Sequence, residues 1–171
     1  MRHFLIRSYE SISLDEVADE AGVSKGLLYH YFPTKRAFYM ACLRGAVGEL
    51  SRVTEPRPGL APDEQLRAAL AGYLAYVEDH AAAYEAVLRG AIGNDPEVAA
   101  IADGLRDTMY ERIVSALPDR EPAPQLQLAV KGWIGLVEAV SLGWALRRRP
   151  RRSLLVDLLA SELQHLLQTW R

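Results

Sequence analysis

Apolar residues along this chain recur three and four positions apart, and the segments they mark are separated by clusters of Pro, Gly, Asn and Asp. That spacing is the mark of amphipathic helices, and no alternating Val/Ile/Thr run joined by an Asn-Gly or Asp-Gly turn occurs. The pattern predicts helices over 14–21, 25–31, 35–53, 63–91 with a break near His80, 97–117, 125–148 and 152–170, hence an all-α fold. Breakers at Glu55-Pro56-Arg57-Pro58-Gly59, Gly93-Asn94-Asp95-Pro96, Pro118 through Pro124 and Pro150 bound these segments. Ser13 stands three residues before Glu16, the spacing of a capping box, and Asp95-Pro96 puts proline at a first helical position.

The Pro-rich stretch at 54–62 divides the chain into a domain of residues 1–53 and one of residues 54–171. A part this small is marginal for independent stability. The long helix from Lys35 is therefore expected to dock it onto the larger part and, as the continuous element between them, to couple the two, with Phe38 and Met40 packing that helix.

With 171 residues, 50% hydrophobic and 25% charged, the chain has the profile of an ordinary globular protein, which excludes disorder, collagen-like repeats and mucin-like stalks. The single cysteine, Cys42, closes no intrachain bridge, and no Cys/His spacing suits structural zinc, so a reducing cytoplasm is the expected compartment. No uninterrupted apolar run approaches the ~18 residues of a bilayer span, and the start MRHFLIRSYE lacks the apolar core of a signal peptide. No membrane association is expected. Net charge is −2, but the first 53 residues hold seven Lys/Arg against six Asp/Glu. Within them, the window from Lys25 to Arg36 carries Lys25, His30, Lys35 and Arg36 with no acid between.

From Ser13 the chain runs SLDEVADEAGVSKGLLYHYFPTK. Leu14, Val17, Ala18 and Ala21 fall at helical spacing, Gly22 interrupts, and Val23, Leu28, Tyr31 and Phe32 resume on a second helix. Two helices that cross closely need a small residue at the crossing and a freed backbone in the turn, which Ala18 and Gly22 supply. With Leu28 turned to the core, Lys25, Gly26, Leu27 and His30 face outward. A helix N-terminus offers unpaired N–H groups to phosphate, and Ser24 is placed to cap it. In this docking mode the first residues of the second helix reach base edges in the major groove. Lys25 is suited to guanine O6 and N7, Leu27 to a thymine methyl, and Gly26 to close backbone approach. Tyr29, Tyr31 and Lys35 are suited to phosphate oxygens. A plain helical hairpin with a solvated basic tip is the bland alternative, but it seldom supplies all of these features together.

The stretch AGVSKGLLYHYFPTK resembles the signature of TetR-family repressors in its Ala-Gly-Val turn, its Tyr-x-Tyr-Phe ending and the lysine three residues later, with the likeness covering about residues 9–44. The resemblance implies that Ser13, Lys25, Tyr29, His30 and Lys35 contact DNA, while Tyr31 and Phe32 lean toward packing. It also implies a divergent C-terminal helical domain that dimerises and binds a small molecule. One departure stands out: family members carry a full first helix before the motif, whereas here Arg2 to Ser8 precede it, with Phe4 at the expected aromatic position. Either the start lies upstream, or this version has a thinner core and weaker DNA binding.

The segment QLQLAVKGWIGLVEAVSLGWAL, residues 125–146, is apolar on nearly every face and must be enclosed on several sides. Gly132, Gly135 and Gly143 each weaken a helix by roughly 1 kcal/mol relative to alanine, a cost that close helix approach or ligand space would explain. The last helix carries leucines in a stripe wider than one contact needs, and Leu155, Leu159, Leu163, Leu166 and Trp170 are the candidate homodimer interface, built as a four-helix seam. A purely intrachain core is the alternative. Tyr73, Tyr76, Tyr84, Met109, Tyr110, Trp133 and Trp144 are candidate walls of a ligand pocket, with Glu138 or Tyr110 as its polar group. The run Arg147-Arg148-Arg149-Pro150-Arg151-Arg152 is taken as a solvated turn at a helix end.

Enzyme signatures fail: there is no Gly-x-Ser-x-Gly elbow, Walker loop, dinucleotide fingerprint or His-Glu-x-x-His. Glu162-x-x-His165 is half of a di-iron motif without its second copy, so neither metal nor cofactor is expected. The favoured reading is a ligand-responsive transcriptional repressor, a homodimer on a palindromic double-stranded operator released by a small hydrophobic effector. The alternative is a helical small-molecule-binding or interaction protein that has lost DNA binding through its shortened first helix.

Overall fold

The computed structural model describes residues 13–81, 84–85, 95–117 and 122–170, and among these every regular element is helical. The helices are α1 (Leu14–Ala21), α2 (Lys25–Tyr31), α3 (Lys35–Val53), α4 (Pro62–Asp79), α5 (Pro96–Ser115), α6 (Pro124–Arg147) and α7 (Arg152–Thr169). The break expected near His80 within 63–91 falls where α4 ends at Asp79, with the His80 N–H bonded back to the Tyr76 carbonyl at 2.9 Å. Most of the remainder of that segment, and the stretch from Arg2 to Ser8 with Phe4, lie outside the described residues.

Packing divides the chain into two compact units, one drawn from residues 1–48 and 82–102, the other from 49–81 and 103–171. The boundary between the units falls within α3, at 48/49, and residues 82–102 join the first unit. The physical reason in the first unit is a core in which Val98 and Ala102 of α5 bury themselves with Tyr39, Met40 and Leu43 of α3, flanked by Val47 and Ile101. Ion pairs reinforce this. Arg36 makes a forked contact to the Asp95 carboxylate at 3.0–3.2 Å and reaches Glu97 at 2.6 Å, while Arg44 also pairs with Glu97. Asp95 does double duty, since the same carboxylate accepts the Glu97 N–H at 2.9 Å and so caps α5. That backbone hydrogen bond, with Arg36 beside it, holds the Asp95 carboxyl below its ordinary range.

In the second unit α4, α6 and α7 pack against one another. Leu70, Leu74 and Val77 of α4, Val130, Ile134 and Val137 of α6, and Leu155, Leu159 and Leu163 of α7 are all buried. The end of α3 is held here by Arg112, whose guanidinium donates to the Ser51 carbonyl and hydroxyl at 3.0 Å and to the Thr54 hydroxyl at 2.8 Å. A cation at a helix C-terminus complements its dipole and fills orphan carbonyls.

Beside that end of α3, α4 comes close enough that a Cβ built on Gly72 would stand 2.5 Å from the Val53 carbonyl oxygen. Backbone cannot yield as a flexible side chain does. Gly72→Ala is therefore expected to lower the melting temperature by several degrees: overpacking costs about 1–3 kcal/mol, and each kcal/mol moves Tm by about 2–4 °C in a chain of this size. A thermal melt followed by circular dichroism checks this, and an unchanged Tm would show that α4 and the end of α3 separate freely.

Candidate nucleic-acid interface

Helix α2 is positioned by two serine caps and one crossing. Ser13 accepts the Asp15 N–H at 3.3 Å to start α1, and Ser24 accepts the Leu27 N–H at 3.2 Å to start α2. Between them Gly22 adopts φ 67°, a left-handed conformation that costs other residues strain, and donates back to Ala18 and Asp19. Ala18, fully buried, lies in one core with Leu14, Leu28, Phe38 and Cys42, and Val17 and Phe32 pack around it. Phe32 meets Phe38 edge-to-face at 5.0 Å. Burial in this core pushes the Cys42 thiol up to about 11, the behaviour of an inert packing residue.

This core leaves the opposite side of α2 to solvent. Ser24, Lys25, Gly26, Leu27, Tyr29 and His30 are exposed, and Ser13 and Lys35 partly so. Of the two readings of Tyr31, a phosphate contact and a packing residue implied by the resemblance, the structure corrects the second. It is 69% exposed, at the last residue of α2. Its ring meets that of His30 edge-to-face, with centroids 5.3 Å apart.

The acid-free window from Lys25 to Arg36 is acid-free only along the chain. Folding brings Asp15 of α1 to Lys25, Oδ2 to Nζ 2.9 Å, and that hydrogen bond raises the ammonium above its ordinary pKa. Arg36 is likewise committed to Asp95 and Glu97. Of the two, Lys25 sits at the exposed start of α2 and can exchange its carboxylate for another anion, whereas Arg36 is tied by a fork within its own unit.

The ligand-pocket candidates fall into distinct environments. Tyr73, Tyr76, Trp133 and Trp144 are buried and Met109 and Tyr110 half-buried in the second unit, whereas Tyr84 is buried and belongs to the first. Both indoles are satisfied internally, Trp133 donating to the Leu159 carbonyl at 3.0 Å and Trp144 to that of Pro150 at 2.8 Å. Tyr76 stacks on His80 at 4.4 Å. The Lys131 ammonium stands 5.4 Å from the centre of the Tyr110 ring. Glu138, the suggested polar group, is held by Arg106 through contacts of 3.0–3.2 Å. Arg106 and Glu138 lie 32 residues apart, and nothing in their local sequence marks them as partners.

The interface residues read from the leucine stripe need correction. Leu155, Leu159 and Leu163 are buried inside their own unit, Leu159 completely, and so have no surface to offer another chain. Leu166 is half-buried and Trp170 exposed. The apolar surface left open lies one position earlier on α7, at Leu154 and Leu158, and on α6 at Leu128 and Leu136, among the exposed Gly132, Gly135 and Gly143.

Two helices crossing on a small residue, a glycine turn and an exposed, serine-capped second helix define a helix-turn-helix module. A family model described as bacterial regulatory proteins, tetR family, matches residues 1–42, and one described as tetracyclin repressor-like, C-terminal domain, matches residues 62–166. The chain belongs to the TetR family of transcriptional regulators. It is 32% identical over 99 residues to the HTH-type transcriptional activator FasR of Mycolicibacterium smegmatis, covering 57% of this chain and 45% of that protein. It is 29% identical over 141 residues to the HTH-type transcriptional repressor KstR of Rhodococcus jostii, covering 82% of this chain and 66% of that one. The chain thus spans about half to two-thirds of the length of these curated relatives. Among solved structures, a tetR-family transcriptional regulator from Streptomyces coelicolor superposes with a TM-score of 0.88 at 32% identity, over 98% of this chain and 76% of that one. A TetR-like transcriptional regulator from Rhodococcus sp. RHA1 gives 0.72 at 27%, over 96% and 89%.

Asp15→Asn removes the carboxylate paired with Lys25 and releases its ammonium. DNA binding is expected to tighten several-fold, and the gain should vanish when Lys25→Ala is added. Fluorescence anisotropy with labelled duplex checks this, and equal affinity for wild type and Asp15→Asn would show that the pair has no influence on binding.

Proposed function

We propose that this chain is a cytoplasmic, ligand-responsive transcriptional repressor that binds a palindromic double-stranded operator as a homodimer and is released by a small hydrophobic effector. The observation that carries this reading is the uncovered face of α2, where Lys25, Gly26 and Leu27 stand at the first exposed positions of a serine-capped helix. In this reading Lys25 and Leu27 contact bases, Ser13, Ser24, Tyr29, His30, Tyr31 and Lys35 contact phosphates or neighbouring groups, and Gly26 admits the backbone. The buried aromatic residues of α4 and α6 support an apolar effector. Activation in place of repression would appear as the opposite sign in a promoter–reporter assay.

A mobility shift on the DNA upstream of the chain's own gene tests the reading, with a specific complex lost at high salt as the expected result. Absence of any shift favours the alternative of a small-molecule-binding or interaction protein without DNA binding. Lys25→Ala should lose discrimination among operator variants, about 1–3 kcal/mol for a bidentate base contact, whereas Lys35→Ala should weaken all sequences alike and lower the salt slope by about one. Identical, sequence-blind losses for both would refute base reading by Lys25.

For the homodimer we assign the seam to the open apolar face of α6 and α7, where Leu128 is 71% and Leu158 51% exposed. Exposed apolar side chains on two helices that pack together mark an association site, and two such helices from each protomer complete a four-helix seam. Sedimentation should give twice the 19.0 kDa chain mass. Leu154→Glu with Leu158→Glu should return it to the monomer without unfolding, because those side chains are not in the core. A wild-type monomer at micromolar concentration would refute the seam.

A further inference from the structure

The turn between α6 and α7 concentrates five arginines in six residues, and the fold neutralises only part of that charge. Arg148, in a left-handed conformation at φ 51°, closes α6 with its N–H on the Trp144 carbonyl at 2.6 Å. Its guanidinium donates to the Glu78 carbonyl at 3.0 Å and stands 3.5 Å from the Glu78 carboxylate, which Arg152 meets at 3.0 Å from the other side. The Trp144 indole on the Pro150 carbonyl adds a third tie. The turn is therefore clasped to the last residues of α4.

Arg147, Arg149 and Arg151 are exposed, and among the described residues none has a carboxylate within ion-pairing distance. The first acid of α7, Asp157, is taken by Arg67 at 2.5 Å. Nor does the helix dipole excuse all of the charge. Arg147 suits the C-terminus of α6, but Arg151 caps the N-terminus of α7, where a cation is unfavourable and the first turn has no acid. A merely solvated turn needs none of this repulsion; an incoming polyanion relieves it.

We propose that this arginine turn is a second, sequence-independent docking surface for DNA, with Arg147, Arg149 and Arg151 binding backbone phosphates. The inference rests on the reading of the chain as a DNA-binding regulator. DNA is the polyanion that such a protein meets at high local concentration once α2 is engaged. Arginine matches phosphate through its planar fork and gives up hydration more readily than lysine.

The test compares the wild-type chain with the triple variant Arg147→Ser/Arg149→Ser/Arg151→Ser, which leaves the Arg148 and Arg152 clasp intact. Affinity for the upstream duplex and for a scrambled duplex is measured by anisotropy from 0.05 to 0.3 M KCl. Each lost phosphate contact lowers the slope of log K against log salt by about 0.9, and both duplexes should weaken by the same factor, leaving their ratio unchanged. Arg57→Ser, an exposed arginine elsewhere in the unit, should leave the slope as it is.

Specific wild-type binding with an unchanged slope in the triple variant overturns the proposal and spares the operator reading. Wild-type binding without preference, weakened in the triple variant, upholds the turn and fails the operator reading. No wild-type binding to either duplex overturns both. Co-sedimentation with phosphatidylglycerol vesicles that the triple variant loses, with the DNA slope unchanged, assigns the turn to a membrane surface and also overturns it.

Discussion

The reading helix is seven residues long, and isolated helices shorter than about 12–15 residues are marginal in water. It exists because Leu28, its one buried residue, is enclosed with Leu14, Ala18, Phe38 and Cys42. Everything the helix presents outward depends on that contact. A larger side chain at Ala18, which has no exposed surface, would push α2 off α1 and misplace Lys25 and Leu27 together. The serine caps and the left-handed Gly22 set where the helix starts and how sharply the chain turns, but the buried leucine sets which face is open.

A second dependence lies at the start of α5. Asp95 caps that helix and receives Arg36, and Glu97 two residues later receives both Arg36 and Arg44. Exposed pairs of this sort are individually worth little; their importance here is geometric. They sit beside the core of Tyr39, Met40, Leu43, Val98 and Ala102, so that the first turns of α5 belong with the reading head. A division of the chain at its prolines follows the chemistry of the backbone, whereas the packed units follow where apolar surface is removed from water.

The arginines of the molecule show how tertiary context assigns meaning to like residues. Arg106 neutralises a half-buried glutamate, Arg112 fills the carbonyls at the end of α3, and Arg148 and Arg152 share Glu78. These are structural commitments. Against them stand Arg147, Arg149 and Arg151 of the same turn, which have no ion-pair partner among the described residues.

Much of the site was legible from residues 13–35 alone. Helical spacing, the small residue at the crossing, the turn glycine and the serine caps are local, and local preferences act over three or four residues that any conformation keeps adjacent. The helix positions and the family follow from them. Charge pairing was not legible, because Lys25 meets Asp15 across ten positions and Arg36 meets Asp95 across 59; those acids become neighbours only when the helices cross. Nor was the inward face of α7. Leucine at 154, 155, 158 and 159 leaves both faces apolar, so that periodicity carries no phase. Packing against α4 and α6 broke the tie, taking Leu155 and Leu159 inside and leaving Leu154 and Leu158 in solvent. What the sequence by itself determined is where the helices lie and which turn opens the reading head. Which side of each helix is free was decided only in three dimensions, because burial is a property of neighbours that the chain order does not name.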